Sequence, residues 1–212
     1  MYDNWKSQAS GSGNVRSYRV ENAANSPVPY GVLGGGSDFM VFLQHDGIPS
    51  IDMIFDGPYG VYHSLYDDFA WMSRFGDPTF RYHATMARLW GVLTLRFADA
   101  DIVPFNYSLY PVEIAGYLRE LKKIAPKSMR PEIDVLLDQC LKWQSSAANF
   151  TAHIEQLSIS SAPETDISTA ALNSAAISEE RALTIENGIP GRPWFRHLVY
   201  APLPSYEADT LP

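Results

Sequence analysis

The stretch from Pro131 to Leu157, PEIDVLLDQCLKWQSSAANFTAHIEQL, decides the fold class of this chain. Its apolar residues recur every three or four positions, the period of one face of an α-helix. The residues that follow this spacing are Ile133, Leu136, Leu137, Cys140, Leu141, Phe150, Ile154 and Leu157. The pattern predicts a long amphipathic helix from about Pro131 to Leu157.

The segments on either side of this stretch also read as helices. From about Tyr110 to Ile124, one apolar stripe ends beside two lysines, where cations suit the helix dipole, and Pro126 follows. A further helix is predicted from roughly Ser168 to Glu186, because Asn187-Gly188 is a usual C-terminal stop.

An earlier helix has a clear start, since Asp77 can cap free backbone N–H groups and Pro78 suits the first helical position. Apolar residues then cover most of its circumference up to Phe97. We expect this helix to be central, with Trp90 and Leu93 inside. Four such helices joined by short loops predict a bundle.

The remaining segments are not helical by pattern. Residues 7–37 are rich in Ser, Gly, Asn and Pro and predict a loop or surface arm, and residues 38–44 predict a short helix or strand. Residues 47–55 favour a buried strand. The tail after Gly188 is rich in Pro and aromatic residues, which is typical of rigid contact loops, and we expect the helical region to be truncated at Pro212.

Composition excludes several functional classes. A net charge of -8, with 16 scattered basic residues, argues against nucleic acid as a partner. One cysteine permits neither an internal disulfide nor a Cys-based zinc site. The sequence shows no apolar run long enough to span a bilayer and no signal-peptide pattern at its start. Two glycosylation sequons begin at Asn106 and Asn149 and could be used only in the secretory pathway.

Several motifs, in the same order along the chain, resemble the late part of the glutamate carboxypeptidase and transferrin receptor family. They are Gly34-Gly-Gly-Ser-Asp-Phe39, Gln44-His-Asp-Gly-Ile-Pro49, Gly57-Pro-Tyr-Gly-Val-Tyr-His63-Ser, Arg74-Phe-Gly-Asp-Pro78, Asn149-Phe-Thr151 and Arg192-Pro-Trp-Phe-Arg-His-Leu-Val-Tyr-Ala-Pro202. The resemblance implies a mainly α fold, in which a helical dimerisation bundle follows a partial α/β segment of a zinc-peptidase domain. Residues 1–76 would be the peptidase part and residues 77–212 the dimerisation part.

The resemblance also implies a zinc ligand. Peptidases of this family hold two zinc ions about 3.5–4 Å apart, which activate a water for attack on a peptide carbonyl. The histidine of the family's Tyr-His-Ser motif is a terminal ligand and matches His63. By its residues alone, a lone histidine is more often a structural hydrogen-bonding group. The family's other ligands and its general-base glutamate lie upstream of the segment that matches Met1, so we expect this chain to hold no zinc alone.

Further site residues follow from the same resemblance. Tyr62 matches a tyrosine that stabilises the tetrahedral intermediate, although an aromatic packing role is the alternative. Gly36 and Ser37 match a loop whose main chain approaches substrate, although a plain turn is possible. Tyr206 matches a tyrosine that contacts the substrate's C-terminal residue.

Two sites in the sequence depart from the glutamate-releasing members. Asp52 and Ile54 stand where those members carry arginines, and Ser205 replaces a lysine. Loss of these cations removes the bonds that select acidic side chains, so a broader peptide preference is expected.

The functional hypothesis is therefore a C-terminal fragment of a zinc exopeptidase that supplies one zinc ligand, the rim of the substrate pocket and a homodimer interface. Its expected partners are a second copy, the upstream peptidase portion and a peptide substrate, on the lumenal, vacuolar or extracellular side of a membrane. The alternative is a non-catalytic interaction module resembling the transferrin receptor, and an intact Tyr62-His63-Ser64 motif counts against it.

Overall fold

The computed structural model describes residues 31–55, 60–159, 166–204 and 207–212. The described residues fall into two compact units, one of residues 53–100 and the other of residues 31–52 and 101–212. The domain boundary predicted between residues 76 and 77 came from the family resemblance, whereas the two units are defined by contacts in the structure. The boundary therefore stays a prediction.

The smaller unit contains one long helix, α1, at Arg81–Ala98. A short helical turn at Phe69–Trp71 comes first and continues as a π-helical segment at Met72–Gly76. The carboxylate of Asp77 accepts hydrogen bonds from the backbone N–H groups of Arg81 and His83, at 3.0 and 3.1 Å. The predicted cap is therefore confirmed.

The predicted start of α1 at Pro78 is wrong by about one turn. Phe80 has a φ of 52°, in the left-handed region, so the backbone of Pro78 and Thr79 cannot continue into the helix. Asp77 instead reaches over this turn to the first free N–H groups of α1.

Helix α1 is not the centre of a bundle. None of its residues is buried in the described part of the chain, and Trp90 is 41% exposed. The other three helices belong to the larger unit. The expectation of a four-helix bundle around α1 is therefore wrong. The apolar pattern shows that the helix surface needs a packing partner, but it does not identify that partner.

The larger unit is mainly helical, which confirms the predicted fold class. A 3₁₀ turn at Lys127–Met129 joins its first two helices, and two short antiparallel strands pair Tyr200 with Thr210. Its elements are α2 at Leu109–Ile124, α3 at Arg130–Ile159, α4 at Asp166–Ala182, β1 at Tyr200–Pro202 and β2 at Ala208–Thr210.

The core of the larger unit lies where α2 packs against α3. Its buried residues are Ile114, Ala115, Leu118, Ala125, Ile133, Cys140 and Val199. A second cluster brings Tyr107, Ala147 of α3 and Ala176 of α4 together. Trp143 packs against both clusters, so α2, α3, α4 and the tail share one apolar interior.

Two local predictions differ from the structure. Residues 47–55 form no strand, and Ile54 is 76% exposed. Among the described residues no neighbouring strand offers backbone partners to this segment, and a lone strand is not stable. Helix α4 ends at Ala182 rather than near Glu186, and Gly188 instead forms a close turn against Pro193 with a φ of 68°.

Residues 39–45 are helical, with a π-helical segment at Val41–His45. This settles the choice between helix and strand that the sequence left open. None of the described helices combines the length and apolarity that crossing a membrane requires.

Candidate functional site

His63 lies in a turn of the smaller unit, before the helical turn at Phe69–Trp71. Its φ of 61° is unusual for a residue with a Cβ atom. The imidazole stacks on the ring of Tyr62 at 3.9 Å between centroids, with an interplanar angle of 22°. Both residues are exposed. A left-handed backbone thus presents the imidazole and the phenol together to solvent, and such strained positions concentrate at functional sites.

The described residues do not by themselves make a zinc site. Nowhere among them do three or more His, Cys, Asp or Glu side chains lie close enough to hold a metal ion. A protein zinc site needs three or four ligands, so a site that uses His63 requires donors from outside the described residues.

The predicted substrate loop, residues 34–37, lies in the larger unit. Gly36 has a φ of 86°, which favours glycine, and its N–H group points to the sulfur of Met40 at 3.1 Å. The carbonyl of Ser37 accepts from the N–H group of Met40 at 3.2 Å. Gly36 and Ser37 are exposed, so their main chain is accessible to a ligand.

The remaining predicted site residues are Tyr206, Asn106 and Asn149. Tyr206 falls outside the described residues. Asn106 is exposed just before α2, and its side-chain oxygen accepts from the N–H group of Ser108 at 3.2 Å. Asn149 is exposed on α3. Both sequon asparagines are therefore sterically open to modification.

The other histidines have structural or surface positions. His83 contacts the Asp77 carboxylate at 2.8 Å. The ring of His45 stacks on that of Trp194 at 5.1 Å, and its Nδ1 lies 2.7 Å from the Trp194 carbonyl oxygen. His153 is exposed on α3.

His197 has an unexpected role, because it is fully buried in a polar network. Its Nε2 lies 2.8 Å from the carboxylate of Glu180 on α4. The same carboxylate oxygen accepts from the Tyr110 hydroxyl of α2 at 2.5 Å. Burial and the charge of Glu180 raise the pKa of Tyr110 far above its ordinary value, so the hydroxyl keeps its proton and donates.

The tautomer of His197 follows from its neighbours. Its Nδ1 accepts from the backbone N–H groups of Val199 and Tyr200, at 3.2 and 3.0 Å. A nitrogen that accepts carries no hydrogen, so the proton sits on Nε2 and points to Glu180. The network therefore fixes the tail to α4 and, through Tyr110, to α2.

Sequence reasoning missed this network, including Gln44, whose backbone carbonyl binds the tail. Its partners are separated by 17 residues for His197 and Glu180, and by 70 for Tyr110 and Glu180. Glu180 also follows another glutamate near the end of a helix, which predicts exposure rather than burial. The one signal in the sequence was His197 itself, a polar residue within the aromatic tail.

Comparison with known proteins identifies a matching domain family and several similar proteins. Residues 132–212 match the transferrin receptor-like dimerisation domain. The chain is similar to the probable glutamate carboxypeptidase LAMP1 of Arabidopsis thaliana, with 41% identity over 170 residues that cover 80% of this chain and 24% of that protein.

Two further relatives are more distant. The aminopeptidase NAALADL1 of Rattus norvegicus is 27% identical over 214 residues, which are 95% of this chain and 27% of that protein. A protein described as the inactive zinc metalloprotease C354.09c of Schizosaccharomyces pombe is 24% identical over 185 residues, 78% of this chain and 22% of that protein. The chain thus spans about a quarter of the length of the curated relatives it matches.

Proposed function

Because this chain belongs to the glutamate carboxypeptidase and transferrin receptor family, we propose that it acts as the C-terminal part of a zinc-dependent exopeptidase. It supplies one zinc ligand, the rim of the substrate pocket and a homodimer surface. In this proposal the chain alone is inactive, because the other zinc ligands come from an upstream peptidase portion.

The exposed apolar surface of α1 carries this proposal. Its side chains of Trp90 and Leu95 are 41% and 69% exposed, and other large apolar residues surround them. A helix that is apolar on most sides belongs in a protein interior, and a large exposed apolar patch marks a contact surface. An upstream peptidase portion that packs around α1 would cover this surface.

The zinc role is assigned to His63 and the transition-state role to Tyr62. The exposed imidazole of His63 is open to donors contributed from elsewhere. The Tyr62 ring stacked on it would keep a hydroxyl donor near the ligand, where developing negative charge needs stabilisation.

The proposed substrate pocket has a broad specificity. Gly36 and Ser37 would offer main-chain hydrogen bonds, and Tyr206 would contact the substrate's C-terminal residue. Asp52 and Ile54, both exposed, supply no cation for an acidic side chain. We expect kcat/KM for peptides that end in glutamate to exceed kcat/KM for peptides that end in a neutral residue by less than about tenfold, or ~1.4 kcal/mol.

The dimer surface is assigned to the later helices, α3 and α4, and to the aromatic tail, in the region that matches the dimerisation domain. On α3, Val135, Leu136 and Leu141 are half exposed or more. Apolar side chains on one helix suit a symmetric contact between identical copies. Sedimentation over a wide concentration range tests this, and a monomer at tens of micromolar would contradict it.

The proposal places the protein on the lumenal, vacuolar or extracellular side of a membrane, with Asn149 glycosylated. The exposure of Asn149 supports its use. Mass spectrometry of protein purified from its native host tests this, and an unmodified asparagine would remove the support for that location.

The decisive experiment compares the 212-residue chain with the same chain joined to the upstream peptidase portion that this proposal requires. We expect stoichiometric zinc and peptide hydrolysis only in the joined protein, because one histidine cannot hold a catalytic ion. His63→Ala should abolish both there, whereas His153→Ala, on the exposed surface of α3, should leave both unchanged. Micromolar zinc binding by the chain alone would refute the proposal that the other zinc ligands come from an upstream portion.

A non-catalytic interaction module is the alternative. The match to a transferrin receptor-like dimerisation domain, and the similarity to a protein described as an inactive zinc metalloprotease, favour it. The joined protein separates the two proposals: stable dimers without zinc or hydrolysis support the interaction module.

A further inference from the structure

A chain of hydrogen bonds joins the substrate loop, residues 34–37, to the C-terminal tail, which we define as residues 188–204. Its centre is Gln44, which is fully buried. The side-chain Nε2 of Gln44 donates to the carbonyl of Gly34 at 2.6 Å. Its backbone carbonyl accepts from the N–H groups of Arg196 and His197, at 2.8 and 3.1 Å. One residue thus holds the loop with its side chain and the tail with its main chain.

The tail end of this connection is anchored in the helices. His197 binds Glu180 of α4 through Nε2, and Tyr110 of α2 binds the same carboxylate oxygen. A buried carboxylate that accepts two hydrogen bonds resists rearrangement, because each bond lost leaves an unpaired polar group inside the protein. The position of the tail, and of the Gln44 carbonyl, is therefore set by α2 and α4.

Two independent contacts hold the same segment. The ring of His45 stacks on that of Trp194 in the tail. Gly47, with a φ of 63°, packs so closely that a Cβ atom there would lie 2.8 Å from the Cα atom of Arg181, one residue before the end of α4. Such closeness leaves the segment little room to shift. The π-helical segment at Val41–His45 is thus clamped between the end of α4 and the tail.

We propose that Gln44 and His197 are positioning residues for the substrate loop. Through them, the helices of the dimerisation region and the tail fix the main chain of residues 34–37 that would meet the substrate. The substrate role of the loop rests on the proposed function, whereas the coupling between tail and loop does not.

Amide hydrogen exchange of the 212-residue chain, measured residue by residue, tests the coupling without zinc or substrate. The N–H groups of Gly36 and Met40 report on the loop, and those of Val199 and Tyr200 report on the tail. Gln44→Leu removes the donor to Gly34 and keeps the backbone carbonyl. We expect about tenfold faster exchange in the loop, equivalent to one lost hydrogen bond, with the tail unchanged.

His197→Phe cuts the connection at its other end. We expect faster exchange in both loop and tail, while the core amides of α2 and α3 stay protected. His197→Gln keeps a donor near the Nε2 position and should restore most of the loop protection. Ser178→Ala is the matched control, because this hydroxyl on α4 bonds only to the carbonyl of Ser174 in the same helix among the described contacts.

Three results would overturn the proposal. The loop could keep its protection while the tail opens, His197→Gln could fail as badly as His197→Phe, or Gln44→Leu could leave the loop unchanged. If His197→Phe raises exchange throughout α2 and α3, the variant Tyr110→Phe replaces it, because it removes only one hydrogen bond of the same network. A uniform rise of exchange in Tyr110→Phe as well would refute a specific coupling.

The joined protein then tests the substrate role separately. There, Gln44→Leu should raise KM or lower kcat/KM by about tenfold without loss of zinc. If the joined protein hydrolyses no peptide, the proposed function fails, and the exchange result still decides the coupling. Unchanged kinetics alongside an opened loop would refute the substrate role of the loop.

Discussion

Glu113 offers a sharp test of how burial shapes the stability of the larger unit. This residue of α2 is 6% exposed, and one carboxylate oxygen accepts from the Tyr117 hydroxyl at 3.1 Å. The other oxygen, Oε1, is buried with no hydrogen-bond partner in the described part of the chain. Burial raises the pKa of Glu113 above its ordinary value of 4.5, and the Tyr117 hydroxyl offsets only part of this effect.

The sign of the pH dependence follows from this shift. Between the ordinary pKa and the raised native pKa, the native state binds more protons than the unfolded state. The free energy of unfolding therefore falls as pH rises through that window, and the loss persists at neutral pH. Below the ordinary value of 4.5 the carboxyl is protonated in both states, and the loss disappears.

Glu113→Gln keeps the shape and removes the charge. A buried polar atom left unpaired costs about 1–3 kcal/mol, and the amide retains part of that cost, so we expect a gain of about 1 kcal/mol at pH 7. At pH 4 the variant and the parent should be nearly equal. Urea unfolding followed by circular dichroism at several pH values measures this difference. Glu120→Gln, on the exposed part of α2, is the control and should change stability by less than about 0.5 kcal/mol. A variant less stable than its parent at pH 7, or a gain equal at both pH values, would refute the reasoning.

Three further predictions concern the same chain. Leu118 is 3% exposed and Leu121 is 36% exposed on the same helix, so Leu118→Ala should lower the free energy of unfolding in urea by about 2–5 kcal/mol and Leu121→Ala by much less. Burial raises the pKa of the Cys140 thiol, so a colorimetric thiol reagent should react with it only after unfolding, and rapid reaction with the native chain would contradict the packing. Hydrogen bonds from the His83 side chain and from backbone N–H groups outweigh burial and lower the pKa of Asp77, so its cap on α1 is present above its ordinary pKa and lost as pH falls through the lowered native value. Asp77→Ala should speed amide exchange at His83 already at neutral pH, and equal exchange in parent and variant would show that the cap is absent in solution.

The helices of the larger unit could be predicted from the sequence, and the physical reason is local. Helix α2 begins one residue before its predicted start and ends where predicted, at Ile124. Helix α3 exceeds its prediction by one residue at the start and two at the end. Both bury one apolar stripe against the other, so the three-to-four-residue period that marks them in sequence is the pattern that packing uses.

Helix α1 and residues 47–55 show where the same reasoning stops. Their apolar composition was identified correctly, but composition does not indicate which other segment packs against the apolar side chains. Trp90 and Ile54 remain exposed in the structure as described. A strand also needs a neighbouring strand, and this requirement cannot be met by the segment's own sequence.

The candidate site divides in the same way. Tyr62, His63, Gly36 and Ser37 came from motif resemblance, and the structure shows their exposure but does not test their roles. The roles of Gln44, Glu180 and His197 came only from the structure, because each meets its partner through a distant segment. The resemblance marks groups that we propose to touch a substrate, whereas it assigns no role to the buried Gln44 and His197, although both lie within its motifs.

The two units differ in what they bury, and this difference argues for separate roles. The larger unit encloses an apolar core and a polar network in which His197 and Glu180 satisfy each other. The smaller unit surrounds its long helix with exposed aromatic and aliphatic side chains, although α1 is capped and its backbone is regular. A segment that is well formed locally but lacks a covered face depends on contacts outside itself for its stability. The larger unit is therefore the part suited to fold around its own core, and the exposed apolar surface of the smaller unit agrees with our proposal that His63 completes a site built with another segment.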